Sequence, residues 1–369
     1  MRLLLAACVA YGLFSNHWAR DSLGAIETPL ESKPPYELSA RQYHWLTSIY
    51  FIPNIAMPVV AGLLAHTYGA SLIYVLCFAV AAAGNVLVCL SSLGGHDSAF
   101  VLLLCGRALM GLAYEAVDLL PIGFMAPRFE TSWSTLVGIL NGVNRLAHSN
   151  RTGGLRLALL IPSVVGASGL LSALVAWRID RSDKRARSES QEPTVAPMSL
   201  TRHSLSHIPY LFWLYVIGGE EFQTPVPTYP AHPFALSQAR VSMVVPFWFI
   251  GAKHLQVKFG MSLAASDALL LFPEGMIMIV APPFGLLIDR QKWSLTKRLM
   301  ASALSLAAIP AALLSLAWLP LSPTLVTLVL GVAYAFAQNL IWASITLVSP
   351  APLLNLCSGL TGQRRRSHP

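Results

Sequence analysis

The stretch GRALMGLAYEAVDLL (residues 106–120) lies inside an apolar run that begins near Phe100, yet it carries Arg107, Glu115 and Asp118. Burying an isolated charge in hydrocarbon costs roughly 2.5–3.5 kcal/mol even on the lenient insertion scale. Arg107, Gly111, Glu115 and Asp118 recur at i, i+4, i+8 and i+11, so on a helix they share one narrow stripe. Such a stripe is tolerable only where it faces protein or water, and the helix is therefore expected to line a polar cavity.

The surrounding chain agrees with a membrane setting. Of 369 residues, 55% are hydrophobic and 11% charged, and the mean hydropathy is +0.58. Soluble domains carry about a quarter charged residues. Apolar windows long enough to span a bilayer fall near 2–18, 45–66, 71–92, 99–122, 134–149, 155–177, 209–219 with 243–252, 264–287, 297–318 and 324–348. The reading is an all-α polytopic membrane protein with about ten transmembrane helices. A barrel would instead show short alternating strands.

The net charge of +8 does not imply nucleic acid. The basic residues cluster between helices, at 178–187, 290–298 and 364–366, as cytoplasmic loops do. With an even helix count these clusters are expected on the cytosolic side together with the N-terminus. The five cysteines show neither CxxC nor Cys/His metal spacing, so neither a metal site nor a disulfide framework is expected. MRLLLAACVA (1–10) has the look of a signal peptide, but Asn16–Arg20 does not read as a cleavage site. A phosphate-cradling glycine-rich loop is missing from the sequence, which argues against ATP-driven pumping and leaves no cofactor expected. Enzyme chemistry is not expected either, because no Ser/His or paired-Asp constellation stands at a usable spacing.

The polar, basic segment 178–199 divides the chain. The expected organisation is an N-terminal six-helix half (1–177), a cytoplasmic linker (178–207) and a C-terminal half (208–369) with an insertion near 220–243. The halves share a repeat: PVVAGLLAHTYG (58–69) resembles APPFGLLIDRQK (281–292), as in carriers built from two related halves. In the second copy Gly285, Asp289 and Arg290 fit the G-x-x-x-D-R loop signature of the major facilitator superfamily. The Asp of that loop is suited to cap a neighbouring helix, and the Arg to anchor at the cytoplasmic face. In the first copy His66 and Thr67 replace the Asp-Arg pair.

GRALMGLAYEAV (106–117), LVGILNGVNR (136–145), SIYFIPN (48–54), FGLLIDR (284–290) and LGVAYAFAQNLIW (330–342) together resemble the lysosomal dipeptide transporter family of major facilitator superfamily domain-containing protein 1. The resemblance implies the major facilitator superfamily fold with twelve helices. Against that pattern the fifth helix is cut short after Arg145, the seventh is split by about two dozen residues, and the last two are expected to be missing. The resemblance also implies export of dipeptides, especially cationic ones, from a lysosome-like lumen by alternating access without obligatory proton coupling. A heavily glycosylated lysosomal membrane protein is the implied accessory partner. The family's sorting signal precedes the first helix, so lysosomal, other endomembrane and plasma-membrane localisation all remain open.

Candidate site residues follow from both arguments. Asn141, Arg145 and His148 form a second polar stripe at i, i+4 and i+7. A dipeptide is a zwitterion; arginine's planar fork suits its carboxylate and a carboxylate suits its ammonium. The resemblance assigns Glu115 to the peptide amino end and Arg145 to the carboxyl end. From the charges alone, a Glu115–Arg145 bridge of purely structural purpose is equally open. Tyr50 is a candidate for the cavity wall or for packing. Trp342 matches a family tryptophan suited to wall a side-chain pocket, with plain packing as the alternative. Glu274, a lone acid in an apolar helix and a position where the family has none, is a candidate proton carrier. Arg107 is expected in helix packing or in the cavity. Asp118 is expected near the headgroups, with a second cation site as the alternative. His17, His66 and the other histidines are expected to be incidental. Asn150-Arg151-Thr152 is a glycosylation sequon. Two rival functions are a non-transporting scaffold or receptor derived from a carrier, and a carrier for a sugar or organic anion.

Overall fold

The computed structural model describes residues 1–22, 30–31, 36–54, 57–92, 96–145, 155–189, 251 and 254–348. Its elements are helices, here α1 (Arg2–Asp21), α2 (Ala40–Asn54), α3 (Met57–Tyr68), α4 (Ala70–Ser91), α5 (His96–Met125), α6 (Trp133–Arg145), α7 (Leu155–Glu189), α8 (Leu263–Leu270), α9 (Phe272–Arg290), α10 (Leu295–Trp318) and α11 (Pro323–Val348). Among the described residues six segments are long and apolar enough to cross a bilayer: Ala70–Ser91, Ser98–Arg128, Leu157–Ala186, Ala268–Arg290, Leu295–Trp318 and Pro323–Ser344. The expected span 45–66 corresponds to α2 and α3. His148, the sequon, the insertion at 220–243, the seventh span (Gly251 apart) and the C-terminal tail lie outside the described residues.

The helices group into two units. The first holds α1 to α5 and α7; the second holds α6 and α8 to α11. The sequence puts α6 in the N-terminal half, but its packing partners are α9 and α11.

In the first unit α5 packs against α4, α2, α3 and α1, and α7 packs against α4 and α1. Small residues permit the closest approach: a Cβ added at Gly84 of α4 would stand 2.6 Å from the Gly106 carbonyl oxygen of α5. In a bilayer such contacts hold helices by packing and dispersion, because lipid is as apolar as leucine. Gly69 joins α3 to α4 with φ 95°, a left-handed conformation that glycine takes at little cost.

α7 runs to Glu189, well past residue 177, so the start of the expected linker is helical. The reason is a polar anchor. Asp180 is 1% exposed; it accepts from Ser71 Oγ at 2.5 Å and pairs with Lys184 one turn later at 2.6 Å. Arg128 reaches both acids of this turn, Asp180 at 2.8 Å and Asp183 at 3.1 Å. These bonds tie the helical extension to α4 and to the end of α5.

In the second unit Leu255, Ile277, Ile309, Leu330 and Tyr334 lie in one buried cluster. α6 starts against the end of α9. Asp289 accepts from the Ser134 N–H at 3.2 Å, from the Thr135 N–H at 2.7 Å and from the Thr135 hydroxyl at 2.7 Å. A carboxylate there satisfies two of the orphan donors of the α6 N-terminus and complements its dipole. Gly285, one turn earlier on α9, lies directly against the Ser134 carbonyl, and Gly138 against the Ala281 carbonyl. Glycine at both positions is what lets the two backbones touch.

Candidate functional site

Each unit carries a polar cluster. In the second, α6 brings Asn141 and Arg145 to one face, and α11 presents Tyr334, Gln338 and Trp342 at i, i+4 and i+8. Arg145 Nη1 lies 2.8 Å from Glu274 Oε2, in the first turn of α9. Its Nη2 donates to Gln338 Oε1 at 3.2 Å, and Gln338 Nε2 donates to Asn141 Oδ1 at 3.1 Å. The guanidinium also stands 6.0 Å from the Tyr334 ring centre. Glu274 is therefore not the lone acid the sequence suggested. Its partner is Arg145, which lies far away in the chain and so was not visible as a pattern.

This cluster is not self-satisfied. Asn141 Nδ2, Asn144 Oδ1 and Trp342 Nε1 are buried, and among the described residues they have no hydrogen-bond partner. Buried polar groups are normally paired, so the spare Asn141 Nδ2, on the amide that Gln338 links to Arg145, is a donor that a polar ligand could complete. Trp342 is half-buried with its N–H enclosed.

In the first unit the stripe on α5 meets α1 and α2. Arg107 is 4% exposed; its guanidinium stacks over the Tyr50 ring at 4.2 Å and donates to the Arg20 carbonyl at 3.3 Å. Gly111 sits against the Tyr50 backbone carbonyl, which allows α2 to approach closely enough for that stacking. Tyr50 and Tyr114 are ring neighbours at 5.6 Å. Arg20 stacks over Tyr114 at 4.5 Å and donates to its hydroxyl. That hydroxyl lies 2.9 Å from His17 Nδ1, while His17 Nε2 lies 2.9 Å from Asp118 Oδ2.

One expectation changes here. His17 is not incidental: it is buried and joins α1 to α5. Its partner Asp118 has a side chain that is 18% exposed. The signal available in sequence was a His-x-x-Arg pair, His17 and Arg20, at helical spacing near the end of α1. Glu115 is half-buried on the same stripe. It belongs to the first unit, and Arg145 to the second. Among the described residues no group of three or more His, Cys, Asp or Glu side chains is placed to hold a metal ion.

The family description Major Facilitator Superfamily matches residues 4–362, nearly the whole chain. The chain belongs to the Major Facilitator Superfamily, a superfamily of multi-pass membrane transporters. Within the superfamily it is similar to the human lysosomal dipeptide transporter MFSD1, at 21% identity over 97% of this chain and 75% of that protein. Solved superfamily structures share the fold. A bacterial homologue of the iron transporter ferroportin matches with TM-score 0.68 and 12% identity over 97% of this chain and 88% of its own. The E. coli fucose:proton symporter FucP matches with TM-score 0.62 and 15% identity over 98% and 88%. The human organic anion transporter MFSD10 matches with TM-score 0.60 and 14% identity over 98% and 89%.

Proposed function

We propose that the chain carries small peptides across a membrane, with Arg145 holding the peptide carboxylate and Glu115 its ammonium. The observation that carries this reading is the cluster around Arg145. A largely enclosed arginine with its fork turned toward polar side chains, and with the spare Asn141 amide donor linked to it through Gln338, suits a carboxylate flanked by a peptide group. Asn141, Asn144 and Trp342 provide contacts that an amide could use, and Tyr334 provides a ring face. The similarity to a lysosomal dipeptide transporter supports the same substrate class. On this reading cationic dipeptides are preferred, transport runs from a lysosome-like lumen to the cytosol by alternating access, and a glycosylated lysosomal membrane protein is the accessory partner.

The test is uptake by the purified chain in liposomes, with labelled dipeptide competed by unlabelled dipeptides, sugars and organic anions. Competition by dipeptides alone is the expected result. Competition by a sugar or an organic anion alone overturns the substrate class, and uptake of none of them returns the chain to a scaffold or receptor role.

A further inference from the structure

The exposed face of α7 changes character along its length. Val164, Leu171 and Val175 are exposed, as side chains that meet lipid are. Arg178, Ser182 and Arg185 are exposed too, and they continue the same stripe. From Val164 onward the steps are seven, four, three, four and three residues, the spacing of one helix face. The change from apolar to basic comes at the depth where a bilayer changes. Arg178 lies about 32 Å from Leu157, where the apolar span begins, at 1.5 Å per residue, and the hydrocarbon core is about 30 Å thick. The basic residues therefore stand at the headgroup layer, on the side of the helix whose apolar part meets the lipid tails.

These residues form a cleft. Trp177, Arg178, Arg181, Ser182 and Arg185 border an open hollow of about 380 Å³. The Arg181 guanidinium stands 5.3 Å from the Trp177 ring centre, a cation–π contact at the depth where tryptophan anchors membrane helices. The acids of this turn are engaged elsewhere: Asp180 and Asp183 bond to Arg128, and Asp180 also to Ser71 and Lys184. Among the described residues no acid forms an ion pair with Arg178 or Arg181. The bonds of Asp180 and Asp183 hold this segment in place, so the cleft sits on a fixed helix and not on a loose linker.

We propose that this face of α7 binds an anionic lipid of the cytosolic leaflet whose headgroup is a phosphate monoester. Basic clusters between helices fall on the cytosolic side, and that leaflet holds the anionic lipids. A guanidinium fork matches two phosphate oxygens at once, and the Ser182 hydroxyl adds a donor. A phosphate monoester carries roughly 1.5 to 2 negative charges at neutral pH, more than a diester, so it balances more of the charge in the cleft. The acyl chains lie along Leu171 and Val175, a contact that a free phosphate lacks. The site is independent of the substrate that the carrier moves.

The experiment titrates the full chain, in detergent micelles mixed with phosphatidylcholine, with phosphatidic acid, phosphatidylserine or phosphatidylglycerol, and counts the lipids retained per chain by native mass spectrometry. Phosphatidic acid is expected to bind saturably and about tenfold more tightly than the two diester lipids. Arg178→Gln with Arg181→Gln is expected to weaken that binding about twenty-five-fold, roughly fivefold for each arginine. Lys292→Gln with Lys297→Gln removes the same charge from exposed positions elsewhere and is expected to leave it unchanged. Glycerol phosphate, the headgroup without its chains, is expected not to compete. Equal retention of the three lipids, or retention of none, overturns the headgroup class. Competition by glycerol phosphate overturns the lipid assignment in favour of a soluble phosphate. Equal losses in the two double variants overturn the location. The comparison of lipids on the wild type needs no variant, so it decides even if the arginine variant does not fold.

Discussion

Arg145 Nη1 and Glu274 Oε2 stand 2.8 Å apart and join the last turn of α6 to the first turn of α9. Both side chains are nearly enclosed, at 11% and 5% exposure. A pair so buried contributes little net stability over an apolar replacement, yet breaking it from one side is costly, because the other charge is stranded. Arg145→Gln is expected to lower stability by roughly 3–5 kcal/mol. The double variant Arg145→Gln with Glu274→Gln is expected to recover most of that loss. Thermal unfolding of the purified variants in detergent checks this; a double variant no more stable than Arg145→Gln would show that the pair is not coupled.

A second expectation concerns Asp289, whose carboxylate accepts from two backbone N–H groups at the start of α6. Removing a helix cap costs about 0.5–2 kcal/mol. Asp289→Ala is expected to lose an amount in that range. Asp289→Asn keeps an acceptor oxygen but loses the charge that complements the helix dipole, and is expected to lose less. Melting temperatures of the two variants, ranked in that order, are the readout.

Glycines on α9 offer an internal control. A Cβ at Gly285 would run into the Ser134 carbonyl, whereas one at Gly275 meets nothing within 4 Å. Gly285→Ala is expected to destabilise by about 1–3 kcal/mol, the usual cost of overpacking. Gly275→Ala is expected to be neutral or stabilising, since alanine is the better helix former. Equal effects at the two positions would mean that α6 and α9 do not touch there.

How much of this was legible beforehand differs from residue to residue. Arg107, Glu115 and Asp118 declared themselves because a charge in an apolar run is costly wherever it points, and helical spacing put them on one stripe. The loop motif at Gly285, Asp289 and Arg290 was readable as a local pattern. The Arg145–Glu274 pair was not, because the residues are 129 positions apart and nothing local distinguishes a paired buried acid from a lone one. His17 carries no local signal for the same reason: its partners Tyr114 and Asp118 lie on another helix. The reach of α7 to Glu189 was hidden by its polar composition. What holds that segment helical is the long-range Arg128–Asp180 contact, together with the local Asp180–Lys184 pair.

Glu115 has a separable test. Glu115→Gln keeps the size of the side chain and removes its charge. If the acid holds the peptide ammonium, binding of free dipeptides is expected to weaken by roughly 2–5 kcal/mol, as for the loss of one partner of a buried charge pair. Peptides with an acetylated amino end, poor ligands of the wild type, are then expected to lose their disadvantage. Discrimination between free and acetylated peptides that survives the substitution would remove Glu115 from this role.

The most direct test is uptake of free and amidated dipeptides into liposomes carrying the wild type or Arg145→Lys. Lysine keeps the charge and can still pair with Glu274, but it lacks the planar fork that joins two acceptors at once. If Arg145 holds the substrate carboxylate, the free dipeptide is the better substrate of the wild type, its transport collapses in Arg145→Lys, and the amidated dipeptide, already poor, loses little more. Equal proportional losses for the two substrates would contradict the carboxylate assignment and leave Arg145 as a structural partner of Glu274.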